Sequence, residues 1–295
     1  NAQKFAGIVA SLLKEYGVYK EPVGIDFVEV HLLRALEKEG IHVVDGQQTL
    51  LNAQTIKTPE EVELIEISIS IVEAAFWQVV HRVHPGVREN EVSGFMRNVM
   101  YQLGAEEIQN INVITGNRAH PHPHDFSDRI IRPGDMIYID VVNVFNGYKT
   151  CYYQTFVCGK PSAMQLDVHK QCSEWLWSAI ERIKPGVTTK EIAQLWPSAK
   201  ELGYEDEGEA FALQLGHGVG ITHWAKPVIS RFFSLEHPEE IKEGMVIAVE
   251  TYAGTGGEGV RIEEMLVVTK DGNRLLTKFP SKHLISCPLV GAIYP

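Results

Sequence analysis

The stretch that decides the fold runs from residue 134 to residue 140 and reads GDMIYID. It recurs at residues 244–250 as GMVIAVE. In both copies a carboxylate, Asp140 or Glu250, stands six residues after the glycine and ends an apolar run that is typical of a buried strand. Two such strands with an acid at the same position indicate that the chain contains two copies of one structural unit.

The neighbouring elements repeat in the same order. The sequence VHPGV at residues 83–87 recurs as IKPGV at residues 183–187, an offset of one hundred residues. In each copy the pattern predicts a helix that ends at Pro-Gly, a second helix, a strand, the apolar strand with its acid and a return strand. The strand after the second helix is expected at 111–115 in the first copy and at 211–215 in the second. The return strand is expected at 148–157 in the first copy and at 260–268 in the second. This duplication predicts an α+β fold in which two pseudo-symmetric halves face each other across a central cleft.

The first part of the chain has a different pattern. It predicts a helix, a strand, a helix and a strand at 2–16, 23–26, 27–39 and 41–45. This alternation is typical of a parallel α/β sheet, but two strands in about fifty residues cannot bury both faces of such a sheet. The chain also opens on asparagine. We therefore expect residues 1–54 to be the C-terminal part of a larger N-terminal domain. A second domain, 55–295, is expected to begin with the helix start TPEE at residues 58–61.

Composition disfavours two classes of partner. The chain has 27 Lys and Arg against 38 Asp and Glu, a formal net charge of −11, which argues against nucleic acid and anionic membrane surfaces. No uninterrupted apolar run reaches the roughly 18 residues that span a bilayer, and the N-terminus lacks a signal-peptide pattern. The four cysteines have neither metal-knuckle nor disulfide-scaffold spacing. We expect a soluble, cytoplasmic protein without nucleic-acid or membrane partners.

The repeat also predicts where the chemistry lies. Asp140 and Glu250 are equivalent positions, and the second return strand carries Glu263, with Arg261 two residues away on the same face. His217 follows the preceding strand, in the sequence GHGVG. Carboxylates in a sheet interior are costly unless a cation neutralises them. One imidazole and three carboxylates therefore predict one or two ions of Mn, Fe, Co or Zn. The alternative is that these acids are solvated or ion-paired strand residues.

These motifs, in this order and spacing, resemble those of one superfamily. They are Gly116-Asn117, Pro121-His122, the strand that ends in Asp140, Gly147-Tyr148, the GHGVG sequence, the strand that ends in Glu250, and GVRIEE at residues 259–264. From about residue 55 to its end the chain resembles the creatinase/prolidase/methionine aminopeptidase superfamily, with the Xaa-Pro peptidases closest in pattern. The resemblance implies the pita-bread fold. Residues 1–54 resemble the last part of a creatinase-type N-terminal domain.

The resemblance also implies a ligand set. Metallopeptidases of this superfamily hold two divalent ions with two Asp, one His and two Glu. Carried over by position, Asp140, His217, Glu250 and Glu263 match four of these five ligands. At the fifth position, on the first return strand, this chain has Cys151 instead of an aspartate.

Three alternatives are open for Cys151. It is a thiolate ligand, which favours a softer metal such as Zn or Fe, or it leaves a site with one ion, or the metal is lost, as in creatinase. If Cys151 has no functional role, it is a small, buried apolar side chain of the core. Because four ligands are retained, we favour a bound divalent metal, Mn, Co, Zn or Fe, with one or two ions, over none.

Catalytic roles are implied by the same resemblance. Glu250 is expected to act as general base toward a metal-activated water, while His122 and His223 polarise the carbonyl or protonate the leaving nitrogen. The neighbours His120 and His124 leave the position of the cleft histidine open by two residues. The His-Pro-His-Pro-His run is alternatively a surface loop that binds metal adventitiously.

Two further side chains are candidate substrate contacts. Arg261 suits either a substrate carboxylate or one of the ligand carboxylates. Tyr153 shares a face with Cys151 in an extended strand, so it is expected to enter the cleft.

The expected function is that of a homodimeric, metal-dependent hydrolase of the Xaa-Pro dipeptidase or aminopeptidase type, which cleaves the peptide bond of a small peptide with metal-activated water. One alternative is a creatinase-like, metal-independent amidohydrolase or a lyase, which acts on a small zwitterion and encloses its cation with aromatic rings. Another is a non-catalytic family member that has kept only the fold.

Overall fold

The computed structural model of the protein describes residues 1–120, 123–210 and 214–290. The chain divides into two units, residues 1–54 and residues 55–295. The first unit consists of α1 (Ala2–Glu15), β1 (Val23–Ile25), α2 (Val30–Lys38), β2 (Val43–Asp45) and α3 (Gln47–Ala53). Strands β1 and β2 pair in parallel, as the alternation predicts, whereas α3 was not expected from the sequence. Apolar residues of α1 and α2 form a small core of their own.

Each half of the second unit begins with a capped helix. In front of α4 (Pro59–Arg82), the Thr58 hydroxyl accepts from the backbone N–H of Glu61, and the Glu61 carboxylate accepts from the backbone N–H of Thr58 at 2.8 Å. Ser162 begins α6 (Ala163–Arg182) with the same reciprocal pair of bonds. These caps satisfy backbone N–H groups that have no partner within the helix, so they fix where each half starts.

Helix α4 is long and apolar enough, by length and composition alone, to cross a membrane. This differs from the expectation drawn from uninterrupted apolar runs, because glutamates are interspersed along the helix. In the structure 44% of its most apolar window is buried. Ile65, Ile69 and Phe76 pack in the core of the first half, so α4 serves there as a core helix.

The remaining elements follow in the predicted order. The first half continues with α5 (Glu89–Gln102), β3 (Glu107–Thr115), β4 (Met136–Phe145), β5 (Tyr148–Lys149) and β6 (Tyr152–Cys158). After α6, the second half contains α7 (Thr189–Ala193), β7 (Gly216–Gly218), β8 (Ala225–Ile229), α8 (Arg231–Ser234), β9 (Val246–Thr255), β10 (Glu258–Thr269) and β11 (Gly272–Leu275), before the final strand β12 (Ile285–Cys287).

The two halves have matching sheets. The first has the order β12-β6-β4-β3, with β5 beside β4, and the second has the order β11-β10-β9-β7-β8. The antiparallel series β3-β4-β6 corresponds to the antiparallel series β7-β9-β10. The sheets meet where the Thr155 hydroxyl of β6 donates to the backbone carbonyl of Arg261 in β10, at 2.5 Å. The predicted α+β fold of two pseudo-symmetric halves is confirmed.

The predicted return strand at 148–157 is divided in the structure. Thr150 and Cys151 lie between β5 and β6 and are not part of the ladder. The reason is local, because the backbone N–H of Asn143 donates to the Thr150 hydroxyl, at 3.2 Å, instead of to a backbone carbonyl. Cys151 therefore occupies an irregular position at the start of β6.

Two elements of the second copy are shorter than their counterparts in the first, or are only partly described. Its second helix, α7, has only five residues. We attribute this to Pro197, which has no N–H to bond the carbonyl of Ala193. Of the strand predicted at 211–215, residues 211–213 lie outside the described residues, and strand pairing begins at Gly216.

Candidate active site

Three carboxylates come from the middle of three strands. Asp140 lies in β4, Glu250 lies at the equivalent position of β9, and Glu263 lies in β10 directly opposite Glu250. Each residue is at most 4% exposed. The charges of Asp140 and Glu250 both act on Glu263, so the duplicated strands bring the three acids into one buried cluster.

Each of two acids in this cluster has one oxygen bonded and one oxygen without a partner. Asp140 Oδ2 accepts from Asn112 Nδ2 at 2.9 Å and from Asn110 Nδ2 at 3.4 Å. Glu263 Oε2 accepts from the backbone N–H of Tyr153 at 3.0 Å. Asp140 Oδ1 and Glu263 Oε1 are buried and have no hydrogen-bond partner among the described residues. Buried oxygens of this kind require a cation, a proton or a water.

His217 is fully buried beside these acids. Its Nδ1 lies 3.0 Å from the carbonyl oxygen of Gly218, and because a carbonyl only accepts, Nδ1 carries the proton. The lone pair is therefore on Nε2, which lies 4.0 Å from Glu263 Oε1 and has no hydrogen-bond partner in the part of the chain that is described. The second glycine of GHGVG is required here, since a Cβ on Gly218 would lie 1.9 Å from the carbonyl oxygen of Lys226.

Glu250 differs from the other two acids because it is paired with a cation. Arg261 Nη2 donates to Glu250 Oε2, and both side chains are almost completely buried. The Arg261 guanidinium also lies over the ring of Tyr153, 4.1 Å from its centroid. Of the two roles considered for Arg261, the structure contains the contact with a candidate ligand carboxylate, and Tyr153 packs against that arginine.

Cys151 and His223 also lie close to His217, and Cys151 lies within reach of Glu263 as well. Cys151 Sγ is 3.3 Å from His223 Nε2. Two groups of side chains therefore share His217: one is Cys151, His217 and His223, and the other is His217, Glu250 and Glu263. Within each group the potential ligand atoms all lie within 4.8 Å of one another.

Burial governs the protonation of the acids. It raises the pKa of Asp140 to about 7, although the charge of Arg261 opposes the shift. Burial and the charges of Glu250 and Asp140 raise the pKa of Glu263 well above its usual range. Burial also raises the pKa of the Cys151 thiol well above its usual range. The ionised forms of these groups are therefore unfavourable here unless a cation is present.

The two imidazoles shift in the opposite direction. Burial lowers the pKa of His217, and burial together with His217 lowers the pKa of His223 to about 3. Both rings are therefore neutral at pH 7 and each offers a lone pair. Neutral imidazoles, carboxylates with an oxygen to spare and a buried thiol make a donor set that fits a divalent cation.

The histidine run is described only in part. His122 lies outside the described residues. His120 Nδ1 is hydrogen-bonded to the hydroxyl of Tyr252, and the two rings stack with an interplanar angle of 11°. His124 is exposed, and desolvation followed by the charge of Arg261 lowers its pKa. The assignment of the cleft histidine stays a prediction.

Glu89 holds the segments on both sides of this run, and the sequence did not single it out. It is fully buried at the start of α5. Its carboxylate accepts from the backbone N–H and hydroxyl of Thr115, at 2.9 and 2.7 Å, and from those of Ser127, at 2.8 and 2.6 Å. It also pairs with Arg118. In the sequence Glu89 is indistinguishable from an ordinary acid in the first turn of a helix.

A cavity of about 430 Å³ opens beside the histidine run. His120 and Tyr252 lie in its wall, and Trp175 and Tyr204 add two further aromatic rings. The sequence contains no signal that marks these aromatic residues as site residues, because they come from separate elements and share no motif. The volume lies within the usual range for a small-molecule pocket.

Known proteins resemble this chain over most of its length. The model of metallopeptidase family M24 matches residues 63–270. The Xaa-Pro dipeptidase of Pyrococcus furiosus is 35% identical over 227 residues, which cover 76% of this chain and 63% of the relative. The solved Xaa-Pro dipeptidase from Bacillus anthracis superposes with a TM-score of 0.82 at 27% identity, over 95% of this chain and 78% of that one. The dimethylsulfoniopropionate lyase of Roseovarius nubinhibens is 24% identical over 294 residues, 95% of this chain and 64% of the lyase. The chain spans less than two thirds of the length of these two curated relatives.

Proposed function

The chain belongs to metallopeptidase family M24, and on that premise we propose that it is a metal-dependent peptidase that cleaves the bond before proline in a small Xaa-Pro peptide. The observation that carries this proposal is the set of buried lone pairs on Asp140 Oδ1, His217 Nε2 and Glu263 Oε1 that no hydrogen-bond donor satisfies in the described part of the chain. Such atoms are costly in a protein interior unless a ligand satisfies them. With Glu250 beside them, they would hold a divalent ion.

The protein's own residues supply the rest of the chemistry. A divalent ion, when bound, lowers the pKa of water and polarises a carbonyl. Arg261 neutralises part of the negative charge by its bond to Glu250 Oε2, which leaves Glu250 Oε1 to accept a proton as general base. His223 is neutral and therefore able to donate a hydrogen bond to a carbonyl oxygen or leaving nitrogen. His122 is kept in this proposal as the second proton donor.

The cavity with His120 and Tyr252 in its wall is assigned here to a small substrate, and its described wall does not include Asp140, Glu250 or Glu263. Its volume of about 430 Å³ suits a dipeptide better than a protein chain. Aromatic rings in its wall offer apolar surface for the ring of proline.

The proposal includes the organisation of the chain. Residues 1–54 are assigned to the C-terminal part of a creatinase-type N-terminal domain, and residues 55–295 to the catalytic domain. The division of the chain into two units at Gln54 supports this assignment. A homodimer in the cytoplasm belongs to the same proposal, and analytical ultracentrifugation tests the oligomeric state.

Hydrolysis of Xaa-Pro dipeptides by purified protein tests the activity. The protein is stripped with a chelator and then reloaded with Mn²⁺, Co²⁺ or Zn²⁺. We expect hydrolysis only after reloading, and we expect Glu263→Gln to abolish it. Glu264→Gln is the matched control, since Glu264 is the next residue of the same strand, is also buried and bonds Thr277 instead of the cluster. Pro-Xaa dipeptides, which lack the scissile bond before proline, should remain intact.

A second function is favoured by one observation. The cavity wall contains the aromatic rings of Trp175, Tyr204 and Tyr252, which suit a bound organic cation. The lyase relative from Roseovarius nubinhibens matches almost the whole chain. Turnover of dimethylsulfoniopropionate or a betaine, with no hydrolysis of any Xaa-Pro peptide by the reloaded protein, would overturn the peptidase proposal in favour of a lyase or amidohydrolase. Inertness toward both classes of substrate would favour a non-catalytic binding protein.

A further inference from the structure

One of the two ligand groups consists of Cys151, His217 and His223. Its ligand atoms differ from those of the four matched ligands, which are one imidazole and three carboxylates. It contains the sulfur atom of Cys151 and one ring nitrogen from each of His217 and His223. Cys151 and His217 are buried, and His223 is half-buried. The lone pair of His217 has no partner among the residues described, so it is available to a ligand at this point.

The distances suit one tetrahedral ion. Zinc–sulfur bonds of about 2.3 Å and zinc–nitrogen bonds of about 2.0–2.1 Å place neighbouring tetrahedral ligand atoms roughly 3.3–3.6 Å apart. Cys151 Sγ and His223 Nε2 are separated by 3.3 Å, and all three atoms lie within 4.8 Å of one another. Small side-chain rotations are therefore sufficient to close the group around an ion.

The two ligand groups compete for one atom. Because His217 Nδ1 donates to Gly218, only Nε2 has a lone pair, and one lone pair binds one ion. An ion held by Cys151 and His223 therefore takes the imidazole from the carboxylate group. Glu263 Oε1 lies 4.0 Å from His217 Nε2, and Glu263 also interacts with Cys151, so a shift of its side chain would bring it in as the fourth ligand.

The two ligand groups are expected to prefer different metals. Thiolate and imidazole ligands favour Zn²⁺ and Co²⁺, whereas Mn²⁺ prefers carboxylates. We infer that Cys151, His217 and His223, with Glu263 as fourth ligand, form a sulfur–nitrogen site that takes the first Zn²⁺ or Co²⁺ ion bound by the metal-free protein. On binding, the Cys151 thiol releases its proton to solvent and the sulfur forms a bond to the ion. This inference rests on the proposed function in that both require a bound divalent metal and both use His217 and Glu263 as ligands.

Cobalt absorption tests the inference without relying on activity. Metal-free protein is titrated with Co²⁺. The first equivalent should produce a thiolate-to-cobalt charge-transfer band in the near ultraviolet, together with the strong visible bands of tetrahedral cobalt. Cys151→Ser should remove the near-ultraviolet band. His223→Asn should keep that band and weaken Co²⁺ binding by more than the roughly 10- to 100-fold typical of changes outside the ligand shell. Cys172→Ala, which removes a buried thiol from another part of the core, should change neither.

A second measurement uses the unsubstituted protein, in case Cys151→Ser does not fold. One equivalent of Zn²⁺ should protect Cys151 from iodoacetamide under mildly denaturing conditions, as mapped by mass spectrometry. Cys172 should show no such protection. Equal labelling of Cys151 with and without Zn²⁺ would overturn the inference, and so would a first cobalt equivalent that produces no charge-transfer band.

These outcomes separate the inference from the proposed function. Mn²⁺-dependent hydrolysis of Xaa-Pro dipeptides without any thiolate–cobalt band supports the peptidase and overturns the sulfur–nitrogen site. A thiolate–cobalt band in a protein that hydrolyses none of these peptides supports the site and overturns the peptidase.

Discussion

Glu250 and Glu263 lie directly opposite each other on neighbouring antiparallel strands, and both are buried. Arg261 donates a hydrogen bond to Glu250 Oε2, whereas its charge acts on Glu263 without such a bond. Like charges at directly opposite positions of a sheet repel each other, and burial strengthens the repulsion. Without metal the pair is therefore a source of instability, and a bound cation removes that instability.

Glu263→Gln should increase the stability of the metal-free protein and decrease its affinity for metal. In metal-free protein at about pH 8, where an unperturbed carboxyl is ionised, we expect it to raise the free energy of unfolding by about 1–3 kcal/mol. Metal affinity should fall at the same time, because a neutral amide is a poor ligand for a divalent ion. Urea denaturation measures the first effect and calorimetric titration with Zn²⁺ the second.

The matched control for this pair is Glu264→Gln, because Glu264 is buried on the other face of the same strand. It should leave Zn²⁺ affinity unchanged. A loss of stability on Glu263→Gln in metal-free protein would show that the carboxylate contributes favourable contacts that outweigh its repulsion by Glu250.

Glu89→Ala should loosen the segments that flank the histidine run. The substitution removes the acceptor of bonds from Thr115 and Ser127 and leaves Arg118 without its buried partner. Breaking such a network by removing one charged member costs about 3–5 kcal/mol. We expect a matching loss in urea denaturation, and we expect new protease cleavage between residues 118 and 127.

Glu91→Gln provides the comparison, because Glu91 lies in the first turn of the same helix but its side chain is 58% exposed. Its effect on stability should stay within about 0.5 kcal/mol. If Glu89→Ala were equally mild, the carboxylate would not be what holds these segments.

The duplicated pattern predicted the positions of Asp140, Glu250 and Glu263. It did not predict which side chains surround them. Asp140 and Glu250 could be located because both copies put an acid at the same point of an apolar strand, and strand periodicity then placed Glu263 on a known face. The caps at Thr58 and Ser162 were equally local, since each depends on residues three positions apart. Such features can be predicted from the sequence because the residues that interact are also close to each other along the chain.

Contacts between distant segments could not be predicted in the same way. His223 and Cys151 are 72 residues apart, and nothing in either motif indicates that their side chains meet. Glu89 and Ser127 are 38 residues apart, and the partner of a buried acid depends on which loop folds over it. The aromatic residues of the cavity come together only through packing of separate elements. Such features follow from tertiary structure, so a single sequence does not contain a local signal for them.

His169 should make the protein sensitive to acid. It is buried in α6, and burial followed by the nearby His283 lowers its pKa to about 4. The unfolded chain, with a pKa near 6.5, binds the proton more readily than the folded protein does. The stability that depends on neutral His169 is therefore present above about pH 6.5 and is lost as the pH falls toward about 4, by at most about 3 kcal/mol.

His169→Gln should reduce this acid-dependent loss of stability, measured by urea denaturation at several pH values between about 4 and 7. His237→Gln, at an exposed histidine, should leave the dependence as it is in the unsubstituted protein. An unchanged pH dependence in His169→Gln would mean that other groups cause the loss.

Two glycine-to-alanine substitutions should have opposite effects. In Gly218→Ala the new Cβ would lie 1.9 Å from the carbonyl oxygen of Lys226, so β7 must move away from β8. We expect a loss of about 3 kcal/mol in urea denaturation, at the upper end of the range that is typical of overpacking in a core. In Gly94→Ala the new Cβ meets nothing within 4 Å on α5, and alanine should stabilise the helix by about 0.5–1 kcal/mol. Because β7 also carries His217, Gly218→Ala should weaken Zn²⁺ binding in calorimetric titration, whereas Gly94→Ala should not. Native-like stability of Gly218→Ala would contradict the close approach of β7 and β8 that fixes the His217 ring.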